Sequence, residues 1–372
     1  MEKKIVKRKI KRFKTKNGPL ELPVFFPDAT RAALRTLDSS DIKNTKTPGI
    51  LVNTYHLYKD LGQKLIAKQK GIRQFMSWDG GIISDSGGFQ VMTLAKSGAI
   101  KGTITDDGVT FKSRGGEKMK LTPEKSIQFQ MLLDPDMCVV LDDFTNPKDD
   151  YENAKESVER TLIWARRSKE EFLKICKEKK ISAKERPYLL GVVQGGDYLD
   201  LREYCTRKLV EIGFDGLGYG GWPLMDTGKF NFDVPRVIAE NSPAEYMLYG
   251  LGVGKPDEIV KCFDLGFYIF DCVLPTRDAR HGRLYIYEAK SIEDINVRES
   301  TFYSYFTPDK EKYRSDLEPV SRACDCLLCR KYTRSYLRHL FKIEETTAYR
   351  LSTIHNLRFY SILMEKLQGE LH

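Results

Sequence analysis

The chain has no apolar stretch near the roughly 20 residues a helix needs to cross a bilayer, and its N-terminus lacks a signal-peptide core. Those two absences set the expectation of a cytosolic protein with no membrane partner. A disulfide framework is missing too: eight cysteines are spread over 372 residues, five of them singly, with Cys138, Cys262 and Cys272 in apolar contexts. That is reduced, intracellular usage. No Gly-rich loop ending in Lys-Ser/Thr is present to cradle a nucleotide phosphate, and neither internal repeats nor low-complexity tracts occur. Acid is absent from residues 3–16, where nine Lys/Arg interleave with Ile5, Val6, Ile10 and Phe13. With a net charge of +9, that segment reads either as a contact for an anionic partner such as nucleic acid or as a solvated basic hairpin.

What is present is a rhythm. Short apolar runs, at 49–52, 81–84, 137–141, 188–193, 216–219, 246–249 and 267–270, alternate with longer amphipathic stretches. Runs this continuous are expected of parallel strands covered on both faces. Residues 150–179 and 198–212 have helical patterning, and Lys255-Pro256-Asp257 reads as a helix start. The pattern predicts a (β/α) barrel. Its runs end in Asn53-Thr54-Tyr55-His56, Asp85-Ser86-Gly87-Gly88, Asp142-Asp143, Gln194-Gly195-Gly196, Gly220-Gly221 and Asp271. In a barrel these ends converge on the C-terminal mouth, where active sites of this fold lie. Each taken alone is a turn residue or a cap; three acids and a glutamine in one register are harder to read that way. From about residue 286 the rhythm breaks into charged sequence, which predicts an inserted subdomain before a final helix over 346–368.

Cys324, Cys326 and Cys329, with His355 downstream, offer three thiolates and an imidazole. Tetrahedral Zn²⁺ takes such a set, and four protein ligands leave no open position for catalysis. A structural ion, one per chain, is therefore expected. The other readings are unpaired buried cysteines or a DNA-reading finger, whose spacing differs. At the mouth, Asp85 and Asp271 suit displacement at an anomeric carbon, which needs one carboxylate as nucleophile and another to manage the leaving group's proton. Asp142 and Gln194 suit the edge of a purine. The paired glycines at 87–88, 195–196 and 220–221 either admit a flat ligand closely or simply turn the chain. Phe89 and Leu251 either sandwich a base or belong to the core. Arg277, Arg280, His281 and Arg283 give the mouth a basic rim.

These residues match a known pattern. Asn53-Thr-Tyr-His-Leu57, Ser84-Asp-Ser-Gly-Gly-Phe-Gln90, Gly191-Val-Val-Gln-Gly-Gly196, Gly213-Phe-Asp-Gly216, Gly252-Val-Gly254, Phe270-Asp-Cys-Val-Leu-Pro-Thr-Arg277 and the Cys₃His set run nearly the length of the chain. Together they resemble the tRNA-guanine transglycosylases, in a bacterial-like form. The resemblance implies a single (β/α)₈ TIM barrel over 1–372 with a zinc-binding subdomain at roughly 286–360. It implies exchange of guanine for a free 7-deazaguanine base at the wobble position of a tRNA anticodon loop, in queuosine formation, and it allows a homodimer. By that likeness Asp271 is the nucleophile on ribose C1′, forming a covalent enzyme–RNA intermediate, and Asp85 the general acid/base. Asp142, Gln194 and the backbone around Gly221 bind the purine edge, Phe89 and Leu251 stack on it, and Arg277 and Arg280 hold the flanking nucleotides. A base that leaves its stack needs such a pocket and rim.

Two departures bear on the incoming base. Bacterial members usually carry Asp-Glu-Cys where this chain has Asp142-Asp143-Phe144. After Gly220-Gly221 the family usually has Leu and small residues, against Trp222-Pro223-Leu224-Met225-Asp226 here. The expected base is 7-aminomethyl-7-deazaguanine, with queuine next. Asp226 is either the partner of an aminomethyl cation or a loop acid. The archaeal type, with added C-terminal RNA-binding domains, is disfavoured because the chain stops soon after His355. A DNA-modifying relative, a non-catalytic partner subunit and a barrel glycoside hydrolase are the rival readings. The paired acids count against the second, and the Cys₃His set and basic rim against the third.

Overall fold

Valine, isoleucine and leucine runs covered on both faces should pair in parallel, and they do. The structure, a computed structural model, describes residues 8–96, 102–112, 118–146, 149–221 and 228–371. Eight strands form one parallel sheet: β1 (Val24–Pro27), β2 (Gly49–Val52), β3 (Gly81–Ser84), β4 (Met137–Val139), β5 (Tyr188–Val193), β6 (Gly216–Tyr219), β7 (Met247–Gly250) and β8 (Ile269–Cys272). Their spatial order is β1-β8-β7-β6-β5-β4-β3-β2. A parallel bridge from Asp28 to Leu51, with Ala29 N–H donating to the Leu51 carbonyl at 2.7 Å, joins β1 to β2 and closes the barrel.

Seven of these strands lie where the apolar runs predicted, within two residues. The eighth, β1, was not anticipated; its run Val24-Phe-Phe-Pro27 is only four residues long and ends in proline, which reads more like a turn. In addition β8 sits two residues later than its run suggested. Asp271 therefore lies within the strand, opposite Phe26, rather than beyond its end. The barrel interior explains one glycine directly: a Cβ on Gly49 would lie 1.8 Å from the Phe26 ring, so the aromatic occupies the space a side chain would need.

The helices follow their local signals. Asp150 caps Tyr151–Glu178 by accepting from Asn153 N–H at 2.9 Å, and Val158, Leu162, Phe172 and Ile175 face the barrel. Pro256 begins Pro256–Asp264, with Asp257 and Glu258 in its first turn, where the helix dipole favours acids. Part of the basic N-terminal segment is a hairpin, Arg12–Thr15 against Gly18–Glu21, under the bottom of the barrel with Phe13 fully buried. Arg8 is spent internally, donating to the carbonyls of Ser242 and Pro243 at 3.0 and 2.7 Å. Residues 1–7 lie outside the described residues.

Past β8 the chain makes the helix Leu274–Arg280, a hairpin (Leu284–Tyr287 with Tyr303–Phe306), a 3₁₀ turn (Glu311–Tyr313), two short α-helices and the long helix Thr346–Leu371. That last helix is buried along most of its length. Asn356 on it donates to the carbonyls of Pro275 and Arg283 and accepts from Tyr285 N–H, so it fixes the segment leaving β8. Among the described residues no helix is long and apolar enough to cross a membrane.

The bottom of the barrel depends on one buried acid. Asp136 accepts from the Lys16 and Ile82 amides at 2.8 Å each and pairs with Arg73. Replacing it with alanine leaves a nearly buried guanidinium and two amides unpaired, so Asp136→Ala should cost about 3–5 kcal/mol in urea unfolding. A loss below about 1 kcal/mol, the range of an exposed pair, would contradict this account.

Candidate active site and metal cluster

Asp271 is buried and shares its sheet position with Phe26, so its side chain points into the barrel toward the mouth. The Gly252 amide donates to Oδ1 at 3.0 Å. Gly252 has φ +73, a conformation that aims its N–H at the acid and that side-chain-bearing residues rarely adopt. The Tyr249 hydroxyl, on β7, is close enough to favour the Asp271 anion, yet its own geometry completes no good hydrogen bond. Burial outweighs both and pushes the Asp271 carboxyl up to about 7.

Asp85 follows β3. Three donors hold it: the amides of Thr54 (2.9 Å) and Gly87 (3.0 Å) on Oδ1, and Asn53 Nδ2 (2.6 Å) on Oδ2. Asn53 also caps the helix Thr54–Asp60, accepting from His56 N–H at 2.9 Å, so one side chain starts a helix and orients the acid. Gly87 has φ +75, and a Cβ there would lie 2.8 Å from the Tyr55 amide nitrogen. Burial again dominates: it pushes the Asp85 carboxyl up to about 7, and the charge of Asp28 adds to the shift.

Across the mouth, Gln194 is fully buried and donates from Nε2 to Asp142 Oδ2 at 2.5 Å, while its Oε1 accepts from Thr145 N–H at 3.2 Å. Asp142 is pushed up to about 6, chiefly by burial. Arg202, from the helix Leu199–Ile212, was not anticipated. It is almost completely buried and donates to the carbonyls of Gly196 (2.8 Å), Val193 (2.6 Å) and Gly220 (2.7 Å), which ties the 195–196 and 220–221 turns together. In the sequence it looked like one more charge on an amphipathic helix, and no spacing signal separates it from its solvated neighbours.

Phe89 is 41% exposed at the mouth and meets Phe144 edge-on, with ring centroids 5.1 Å apart. Leu251, half-buried in the turn after β7, packs where Gly218 leaves room. On the rim, Arg277 is exposed, and Arg280 is half-buried with Nη1 donating to Thr276 O at 2.7 Å. Burial lowers the Arg280 pKa, as do the like charges of Arg35 and Arg277, so three guanidiniums share this edge. Asp226 and residues 222–225 lie outside the described residues.

The Cys₃His set converges as well. The thiols of Cys324, Cys326 and Cys329 lie 3.7, 3.5 and 3.3 Å from His355 Nδ1, and all four donor atoms fall within 4.8 Å of one another. A tetrahedral ion with ligands at about 2.0–2.3 Å separates such atoms by roughly 3.5–3.8 Å. His355 Nε2 donates to the Tyr285 carbonyl at 2.7 Å, which leaves Nδ1 free as a ligand. The donor set therefore fits a metal ion.

Comparison with known proteins agrees with this architecture. A family model described as Queuine tRNA-ribosyltransferase matches residues 6–372. A queuine tRNA-ribosyltransferase from Thermoanaerobacter sp. (strain X514) is 38% identical over 355 residues, 95% of this chain and 87% of that protein. Those from Solidesulfovibrio magneticus and Staphylococcus epidermidis are each 37% identical, over 95% of this chain and 88% and 86% of theirs.

Burial favours the uncharged form of a carboxyl, so Asp85 and Asp271 should ionise only as the pH rises through about 7. With ¹³C-labelled aspartate, the carboxyl resonances lost in Asp85→Asn and Asp271→Asn should titrate there. Midpoints at the ordinary 3.8 would refute the desolvation argument.

Proposed function

The chain belongs to the queuine tRNA-ribosyltransferase family, and from that premise we propose that it replaces guanine at the wobble position of a tRNA anticodon with a free 7-deazaguanine. The observation that carries this reading is the pair of desolvated carboxyls, Asp85 and Asp271, on separate strands of one mouth, opposite the purine-matching pair Asp142 and Gln194.

The chemistry is a double displacement. Ionised Asp271 attacks ribose C1′; the new C–O bond forms as the glycosidic C–N bond breaks, and protonated Asp85 delivers its proton to the departing guanine. The incoming base then gives a proton back to Asp85, and its ring nitrogen attacks C1′ and expels Asp271. The nucleophile must be charged while its neighbour is neutral. Two acids that both titrate near pH 7 can divide the roles in this way.

Recognition uses the rest of the mouth. Asp142 and Gln194 take the hydrogen-bonding edge of the base, and the Gly221 backbone, on a turn with φ +99, approaches it closely. Phe89 and Leu251 cover its faces. Arg277 and Arg280 hold the phosphates of the flanking nucleotides. The incoming base is 7-aminomethyl-7-deazaguanine, with Asp226 as partner of its ammonium group. Zn²⁺ is the ion that suits the Cys₃His set: three thiolates and an imidazole match its preference, and the closed tetrahedron gives it a structural role.

Incubation with tRNA and radiolabelled guanine, followed by a chase with each unlabelled deazaguanine, tests the reading directly. Label should enter tRNA, not a DNA control, and the aminomethyl base should displace it; if no label enters, the transglycosylase assignment fails. Asp271→Asn should abolish a denaturant-resistant RNA adduct, and an undiminished adduct would move the nucleophile elsewhere. Metal analysis should find one zinc per chain, and stripping it with a chelator should lower the melting temperature. Metal-free protein of unchanged stability would refute the structural role.

A further inference from the structure

A third carboxylate shares the mouth with the two assigned above. Asp28 follows β1, two residues beyond Phe26 on the same face of the strand. Phe26 is the residue opposite Asp271, so Asp28 stands one step nearer the mouth than the proposed nucleophile, on the adjacent strand. On its other side it bridges to Leu51 of β2. Thr30 Oγ1 donates to Asp28 Oδ1 at 2.6 Å, the Thr30 carbonyl accepts from Asn53 N–H at 3.3 Å, and Asn53 Nδ2 donates to Asp85. One short chain of contacts thus joins Asp28 to the proposed acid/base, and one strand pairing joins it to the proposed nucleophile.

We propose that Asp28 is a positioning residue of the exchange reaction: its charge sets the pH range over which Asp85 and Asp271 hold and release their protons. The groups its charge reaches are those two acids, Cys272 on β8 and the Tyr249 hydroxyl on β7. No cation among the described residues pairs with it; Arg31, close by in the chain, turns to Asp60 at 3.1 Å. Three acids in one desolvated mouth, with no cation among them, cannot all ionise together at neutral pH. Burial raises the pKa of Asp28 as well, against the two hydrogen bonds from Thr30. When ionised, Asp28 works in one direction on both neighbours, holding each in its protonated form to higher pH. The operating range of the site then sits higher than the pair alone would set it, with Asp85 still an acid near neutrality.

This inference rests on the proposed exchange reaction, and Asp28→Asn with two readouts separates the fate of each. The asparagine keeps size and polarity but removes the charge. Both limbs of the kcat/KM profile for guanine exchange should move to lower pH by roughly one unit, while Asp28→Glu should restore the original profile. Independently of turnover, the Asp85 and Asp271 carboxyl titrations should fall in the same direction. If the wild-type protein exchanges no base but those titrations move, the coupling stands and the reaction assignment fails. If exchange proceeds and neither the profile nor the titrations move, Asp28 is only a turn residue and this proposal is overturned.

Discussion

The site depends on keeping carboxyl groups out of water without losing control of where they point. A buried acid that finds no partner costs several kcal/mol, and a cation beside it favours its charged form. Asp85 and Asp271 avoid both extremes because backbone amides and neutral side chains hold them. Such donors orient a carboxyl and favour its anion only in part, so desolvation still prevails and the proton stays available near neutrality. Contrast Asp136 at the opposite end of the barrel, which has an arginine partner and serves the fold. The same residue type does two jobs, and the presence of a cation divides them.

Amides can hold an acid only if the backbone bearing them is itself held. For Asp85 the support is local: the Asn53 cap and the positive φ of Gly87 bring the donors to one point. For Asp271 it comes from far along the chain. Asn356, on the long C-terminal helix, grips the carbonyls of Pro275, in the first turn of the helix after β8, and of Arg283, just beyond that helix. The next residue back, His355, belongs to the Cys₃His set and also holds the Tyr285 carbonyl. One turn of one helix therefore ties the Cys₃His set to the exit of β8. The Cys₃His set is in this way coupled to how firmly the segment that leaves Asp271 and carries the rim arginines is held.

The sequence exposed those parts of the fold that repeat a strong local signal. Apolar runs marked seven strands, and polar residues at or near their ends marked the mouth, because parallel strands covered on both faces are apolar along most of their length. Strand β1 escaped because a four-residue run ending in proline carries little signal, and Asp28 escaped with it. Arg202 and Tyr249 were hidden for a different reason. Their roles arise from burial against elements distant in the chain, and periodicity reads only the chain's own neighbours. The Asp271 register was missed by two residues because strand limits are set by the partner strand: β8 stops where β1 stops. The glycines divide similarly, since Gly252 and Gly87 owe their place to amide direction and Gly49 to the Phe26 ring.

Phe144 shows how a departure at one position spreads through the site. A small residue there would leave Phe89 standing alone at the mouth, without the ring that packs against it. The buried Phe144 ring instead meets Phe89 edge-on and restricts its sweep. Phe144 sits between Asp143, which Arg160 grips, and Thr145, whose amide holds the Gln194 carbonyl oxygen. Bulk added at 144 thus acts on the Phe89 ring directly and stands next to the amide that holds Gln194. On the far side Arg202 fixes Gly196 and Gly220 with comparable rigidity. A pocket stiffened on both flanks discriminates by shape more than by adaptation, because its walls have little freedom to move.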